Sequence, residues 1–279
     1  VNAAVRYQRM QGLSLVEVMV SLVIGLVVVG AVLVSYITAG TTGRQQAAYA
    51  EMNENAQLAL TLIARDLLLA GFSAPVGVAA DGLSFTRTYA SRPVFGCRTG
   101  FAAPATTGAV ACALSGSDAL EVVYQADAAN SVPTSGNRPT DCLGNGLAAD
   151  AAGVFRAYTR YYLATSSSGR SEMHCASRQG AGGQPLVDNV EGMTVWYGEA
   201  NAASPRAVAR YVRANAVSDW GLVLSVRVCL LMRSSESVLA SSEDTVTYLD
   251  CDSAQQTSAD GFVRRAFFST TTLRNKMAF

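Results

Sequence analysis

The sequence predicts an α+β protein: one long N-terminal helix, transmembrane and then amphipathic, packed on an antiparallel β-sheet domain. Three observations carry that expectation. Residues Leu13 to Ile37 are almost wholly apolar, and no charged residue occurs from Val18 to Gly43. The following run "RQQAAYAEMNENAQLALTLIARDLLLAGF" keeps a helical period, with Ala56, Leu60, Ile63 and Leu67 at i, i+4, i+7 and i+11, and Gly71 offers a stop. Beyond Phe72, β-branched and aromatic runs alternate with Gly/Ser/Ala-rich loops. A helix followed by successive strands is the pattern of an α+β domain.

The apolar run is long enough to cross a bilayer, which takes ~20 residues at about 1.5 Å each. It exceeds the ~7–15-residue apolar region of a secretory signal, and no A-x-A cleavage site follows it. Arg6 and Arg9 precede it without a balancing acid, so the positive-inside rule places the N-terminus in the cytoplasm and the remainder outside. Glu17 lies inside the run. A carboxylate near mid-membrane costs about 2.5–3.5 kcal/mol on insertion scales. Either it sits shallow enough to reach headgroup water, or it meets a cation within the apolar layer. Joined end to end, the two helical runs would form one helix, with Gly40 and Gly43 as the places for a kink.

The expected strands begin at Leu83 ("LSFTR"), Ala119 ("ALEVVYQ"), Val154 ("VFRAYTRYYLA"), Gly192 ("GMTVWYG"), Gly221 ("GLVLSVRVCLLMR"), Thr245 ("TVTYL") and Phe262 ("FVRRAFFSTTTL"). Residues 96–118 and 166–184 read as long loops, of the kind that cysteine bridges tie down.

Half of the 279 residues are hydrophobic, and the formal net charge is zero, so no global field draws the chain to nucleic acid or anionic lipid. The six cysteines Cys97, Cys112, Cys142, Cys175, Cys229 and Cys251 form no C-x-x-C pair, and His174 is the only histidine. A metal is therefore not expected. An even cysteine count beyond a membrane segment favours disulfides in an oxidising compartment. Six cysteines allow 15 connectivities. Sequential pairing is the favoured one, because each such bridge closes a loop rich in Gly, Ser or Ala.

No catalytic constellation is visible, and no cofactor is expected. His174 and Cys175 are adjacent, and adjacent strand residues point to opposite faces. The acidic pairs Glu243–Asp244 and Asp250/Asp252 lack the spacing of a calcium loop and read as solvated loop ends. The tail "RRAFFSTTTLRNK" mixes Arg264, Arg265, Arg274 and Lys276 with Phe267 and Phe268. On a strand the aromatics read as core and the arginines as rim, so no nucleic-acid partner is expected.

The stretch "GLSLVEVMVSLVIG" resembles the processing site of type IV prepilins and type II secretion pseudopilins. That resemblance implies cleavage between Gly12 and Leu13 by a prepilin peptidase, methylation of the new N-terminal residue, and a pairing of the Glu17 carboxylate with the α-amine of a neighbouring subunit. Leu13 departs from the phenylalanine usual there. The segments "RDLLLAGF", "LVDNVEGMTVWYGEA", "RYVRANAVSDWGLVLSVRVCLLMRS" and "RRAFFSTTTLRNK" are similar to the PilW minor pilins, whereas residues 74–153 resemble nothing recognisable. The resemblance implies a pilin-like fold with a leader at 1–12, an assembly helix at 13–70 that is transmembrane at 13–37, and a periplasmic β-rich domain at 71–279. It implies a non-enzymatic subunit that primes pilus assembly and supports twitching motility and adhesion. Its partners would be other minor pilins, the major pilin, a pilus-tip adhesin and the inner membrane. The alternatives are a J-type pseudopilin of type II secretion and a bitopic periplasmic binding or sensor domain.

Overall fold

The computed structural model describes residues 12, 14–78, 80–82, 85–87, 92–178, 182–238 and 245–276. Two compact units are present, Val1–Ala47 and Ala48–Phe279, and helix α1 (Leu15–Leu69) contributes to both. In the first unit its large apolar side chains, among them Leu22, Leu26, Leu33 and Ile37, are exposed. By length and composition this helix can cross a membrane. It stays helical through Gly40 and Gly43, where the sequence allowed a kink. The hydroxyls of Thr38 and Thr41 bond back to the carbonyls of Val34 and Thr38.

In the second unit α1 buries Ala48, Met52, Ala56, Ala59, Ile63, Asp66 and Leu67. This is the expected stripe turned slightly: Leu60 is only partly buried and Ala59 takes its place. The helix ends as its composition dictates. Gly71 adopts φ 73°, a left-handed conformation in which a β-carbon would be strained. Its amide donates to the carbonyl of Val123, and Asn275 Nδ2 donates to the terminal carbonyls of Leu68 and Ala70.

Thirteen strands follow among the described residues. A hairpin joins β1 (Pro75–Val78) and β2 (Phe85–Arg87); Leu83 and Ser84 of the expected first strand lie outside the described residues. A five-stranded antiparallel meander has the order β3 (Val94–Cys97), β4 (Ala119–Gln125), β5 (Arg156–Thr165), β6 (Ser171–Ser177), β7 (Gly183–Asp188). A four-stranded sheet is built from β8 (Val190–Asn201), β9 (Ser204–Val212), β10 (Val223–Arg233) and β13 (Arg264–Thr272), in the order β13-β10-β8-β9. A second hairpin pairs β11 (Val246–Leu249) with β12 (Gln255–Ser258). The fold is thus α+β, with a long apolar helix and antiparallel sheets. Both large sheets turn apolar residues onto α1: Leu120, Val122 and Tyr161 from the first, Val195, Val228 and Leu230 from the second.

The expected loop at 166–184 contains β6 and the start of β7. Its polar run "SEMHCAS" hides a strand, because cross-strand pairing with β5 rather than alternation of apolar residues fixes it. Residues 98–118 do form a long irregular segment, and a buried cation holds it. The Arg160 guanidinium is fully buried, pairs with Glu121 at 2.7 Å, and donates to the carbonyls of Pro104, Thr106 and Gly108. A loop without a sheet ladder needs partners for its carbonyls, and this side chain supplies three. On the other sheet, Arg264 bridges Glu191 and Asp260, with Nη2 to Glu191 Oε1 and Nη1 to Asp260 Oδ1 both at 3.0 Å. Hydrogen bonds from Arg264 hold the Asp260 carboxyl well below the usual aspartate range.

Two outcomes follow. Replacing Arg160 by Met takes the guanidinium from the buried Glu121 carboxylate and releases three loop carbonyls, and should cost about 3–5 kcal/mol in denaturant unfolding of the detergent-solubilised chain. For Asp260 the folded pKa is depressed, so its contribution is present above the unfolded pKa of about 3.9 and is lost as the pH falls through the folded value. Asp260→Asn should therefore lower the thermal midpoint at neutral pH, and its deficit against wild type should shrink on acidification. A deficit independent of pH would contradict the assignment.

Candidate functional site: the N-terminal segment and the bridged sheet domain

Gly12 precedes α1 in exposed, non-helical chain, and a β-carbon added there would meet no atom within 4 Å beyond its chain neighbours. Leu13 and the leader residues 1–11, with Arg6 and Arg9, lie outside the described residues. Ser14 caps the helix: its Oγ accepts from the Glu17 amide at 3.2 Å. Ser14-x-x-Glu17 is the spacing of a capping box, a signal present in the sequence that the reading above passed over. Glu17 thus occupies the first helical turn, where a carboxylate is favoured by the amide dipoles. Its carbonyl accepts from Ser21 Oγ at 2.7 Å. Its carboxylate makes no ion pair among the described residues, and the side chains around it, Leu15 to Val20, are exposed and apolar apart from Glu17 itself.

The six cysteines form three disulfides in sequence order: Cys97–Cys112, Cys142–Cys175 and Cys229–Cys251. Their Cα separations of 5.3, 6.6 and 5.8 Å lie in the range a bridge requires. The first ties the loop held by Arg160 to β3. The second fastens the segment around Cys142 to β6. The third ties the end of β11, and with it the β11–β12 hairpin, to β10.

Two of these bridges border a cleft of about 820 Å³ lined by Phe95–Thr99, Gly192–Thr194, Arg213–Asn215 and Asp250–Asp252. Three of its charges are tied together. Arg213 reaches Asp118 and Asp252, both at 3.2 Å, and lies over the Trp196 ring at 5.1 Å. Asp118 also accepts from the Val195 amide at 2.7 Å. Asp250 accepts from the amides of Asp252 and Ala254, each at 2.9 Å. Glu243 and Asp244 lie outside the described residues. No group of three or more metal-ligating side chains occurs among the described residues.

His174 faces Tyr162 across the sheet and meets Glu172 at 3.3 Å, while its neighbour Cys175 is bridged. In the C-terminal run the expected assignment is partly reversed. Phe267 packs on the core, but Phe268 is 50% exposed, and Arg264 rather than an aromatic is buried. The reason is its pair of carboxylates, which allow a guanidinium inside.

An apolar helix with a Gly–Leu–Ser–Leu–Val–Glu start, followed by a disulfide-bridged antiparallel domain, defines a type IV pilin-class subunit. Residues 7–33 match the model of the prokaryotic N-terminal methylation motif, and residues 160–275 match that of type IV pilus-assembly protein W. Together these matches support a type IV pilus minor pilin. Among solved structures it is similar to a type IV-like pilin from Thermus thermophilus, with 14% identity over 81% of this chain and 97% of the other, at a TM-score of 0.35. No curated protein matches. Pilin class implies a membrane-anchored, structural subunit that is processed by a prepilin peptidase and contacts other pilus components.

The Cys229–Cys251 bridge spans 22 residues, for which chain entropy gives about 3 kcal/mol. The Cys229→Ser/Cys251→Ser variant should lose roughly that stability and become protease-sensitive at the β11–β12 hairpin. Unchanged proteolysis there would show that the hairpin is held by packing alone.

Proposed function

We propose that this chain is a priming subunit of the pilus, cleaved between Gly12 and Leu13, N-methylated on Leu13, and drawn from the inner membrane into the filament near its tip. The observation that carries the reading is Glu17. It is a carboxylate without an ion-pair partner among the described residues, set in an exposed apolar helix turn five positions from Gly12. Lipid penalises that charge, and a cation delivered by another subunit's new α-amine offsets the penalty. Glu17 then acts as a register key rather than as a catalyst, and the chain is not an enzyme.

Before assembly the chain is a single-pass protein with its N-terminus in the cytoplasm and its β-rich domain, residues 71–279, in the periplasm. The assembly helix is 13–70, with the membrane span at 13–37. The disulfides suit the oxidising compartment on that side. Its partners are other minor pilins, the major pilin and a tip adhesin, and twitching motility and attachment depend on it through assembly.

The test is the mature N-terminus by mass spectrometry together with two variants. N-methylated Leu13 is expected in wild type, and an intact Val1 would overturn the reading. Gly12→Val should remain unprocessed and membrane-trapped. Because a β-carbon at Gly12 meets no atom of the described residues beyond its chain neighbours, and Gly12 lies outside the sheet domain, that failure would report on the peptidase rather than on folding of the domain. Glu17→Gln should insert and be processed, yet fall at least about tenfold in sheared pilus fractions, about 1.4 kcal/mol of lost association. Normal recovery would refute the charge-pairing role. Loss of protein export with intact pili would favour a secretion pseudopilin.

A further inference from the structure

The four-stranded sheet turns one face to the core and leaves part of the other open. On the open face the register sets three rungs side by side: Tyr211–Gly198–Ser225–Thr272, then Trp196–Arg227–Thr270, then Thr194–Cys229–Phe268. Tyr211 lies along the sheet rather than standing up from it. It crosses β8 over Gly198, where an added β-carbon would come within 3.1 Å of its Cε1, and its hydroxyl meets Ser225 Oγ on β10 at 2.9 Å. The Arg227 guanidinium is 5.3 Å from the same ring, and its Nε donates to Thr270 Oγ1 at 3.2 Å. The Trp196 and Phe268 rings are stacked at 6.4 Å. None of these three rings belongs to the core cluster. Tyr49, Tyr211 and Phe268 are the exposed aromatic side chains of the second unit among the described residues. Tyr49 and Phe268 share a groove of about 490 Å³ that continues this face beside the β11–β12 hairpin.

We infer that this face is a binding platform for an uncharged oligosaccharide, with Tyr211, Trp196 and Phe268 as stacking rings and Arg227 as the hydrogen-bonding residue among them. A pyranose offers a face of polarised C–H bonds, which meets the negative face of an aromatic ring. Its rim of hydroxyls both donates and accepts. The platform holds partners for each. Beside the rings, Arg227 is exposed, and its Nη1 and Nη2 make no hydrogen bond among the described residues. At the margin Arg213 lies over the Trp196 ring at 5.1 Å and holds Asp252 through Oδ1, so Oδ2 of that exposed carboxylate is an acceptor to spare.

The composition of the face selects this occupant over two others. Its three rungs carry no Val, Leu, Ile or Met, so an apolar segment of another protein, or a second copy, finds rings and hydroxyls there but no aliphatic side chain to bury. Single-stranded nucleic acid would stack on the same rings, but it is held through several phosphate contacts. On these rungs and at the Trp196 margin, Arg227 and Arg213 stand against Asp118 and Asp252, which leaves no net charge. The inference stands on the second unit alone and needs no part of the Glu17 reading. It gives the chain a direct contact with a surface glycan, beyond attachment that depends on it through assembly.

The test uses the full-length chain in a detergent without a sugar headgroup. It is applied to immobilised neutral oligosaccharides of glucose, galactose, mannose and N-acetylglucosamine, with hyaluronan fragments and oligothymidine as the acidic arms. Capture by at least one neutral probe is expected, with an affinity that does not change between low and high salt. Phe268→Ala and Tyr211→Ala should each lower that affinity at least about tenfold and should fold as wild type, since neither ring is part of the core. Tyr211→Phe keeps the ring and loses only the bond to Ser225, so its affinity should stay within about twofold of wild type. Capture of no neutral probe, or capture of the acidic probes alone with loss in salt, would overturn the inference. So would unchanged affinity in both alanine variants, or loss of binding in Tyr211→Phe. Because no pilus is involved, each of these results leaves the minor-pilin reading where it stands.

Discussion

The second unit depends on one burial: the face of α1 made by Met52, Ala56, Ala59, Ile63 and Leu67. Each large side chain there contributes about 1.5–3 kcal/mol when fully buried, and the alanines matter for a different reason. A helix face of alternating small and large residues lets backbone approach closely while filling the space between. Residues of both large sheets share this cluster, and the five-stranded sheet adds a smaller one of its own around Cys97, Phe101 and Ala119. Asp66 interrupts the stripe and is accommodated because the Tyr161 hydroxyl donates to it at 2.9 Å. A polar group in that position is tolerated only when its partner is built into the facing sheet.

What was legible in the sequence follows from this. Helix α1 announced itself through uninterrupted apolarity and then through period, and β4, β5, β8, β10 and β13 through β-branched and aromatic content. The strands β6, β7, β9 and β12 carried neither signal. β6 is Ser-Glu-Met-His-Cys-Ala-Ser and β12 is Gln-Gln-Thr-Ser; both are strands because a neighbour offers a ladder, which is tertiary information. At the N-terminal segment Gly12 and Glu17 stood out because their spacing is local in sequence, whereas the equally local Ser14 cap was missed. The partners of Arg160 were not legible, because Glu121 and the carbonyls of Pro104, Thr106 and Gly108 lie 39 to 56 residues away.

The use of arginine unites the irregular parts of the second unit. Lys276 is the only lysine of the chain, and buried or bridging cations are guanidinium throughout. Arg160 gathers a loop, Arg264 joins β13 to Glu191 and Asp260, and Arg213 connects Asp118 with Asp252. A guanidinium keeps its charge when desolvated and donates in several fixed directions, whereas an ammonium is more strongly hydrated and loses its proton more readily. Three disulfides fix the same segments covalently, so loops with little apolar content are held by polar and covalent links where a core cannot reach them.

The first unit poses the opposite problem, a helix whose Glu17 carboxylate has no ion-pair partner among the described residues. The first cationic residue after Glu17 is Arg44, 27 positions on, which is about 40 Å along a helix axis. At that distance a pair interacts weakly even in a medium of low dielectric compared with one in contact. Sliding the helix toward water would relieve Glu17 and would expose Leu15 to Val20 in exchange. Neither the side chains of the helix nor its position in a bilayer can therefore satisfy both the carboxylate and the apolar face around it. A second helix can, provided that it brings a positive end to the level of the first turn. Cleavage after Gly12 would create such an end on every subunit, at a fixed four-residue offset from the carboxylate it has to meet. On the proposed reading the glycine and the glutamate would act as one feature, in addition to the place that the first helical turn already gives Glu17.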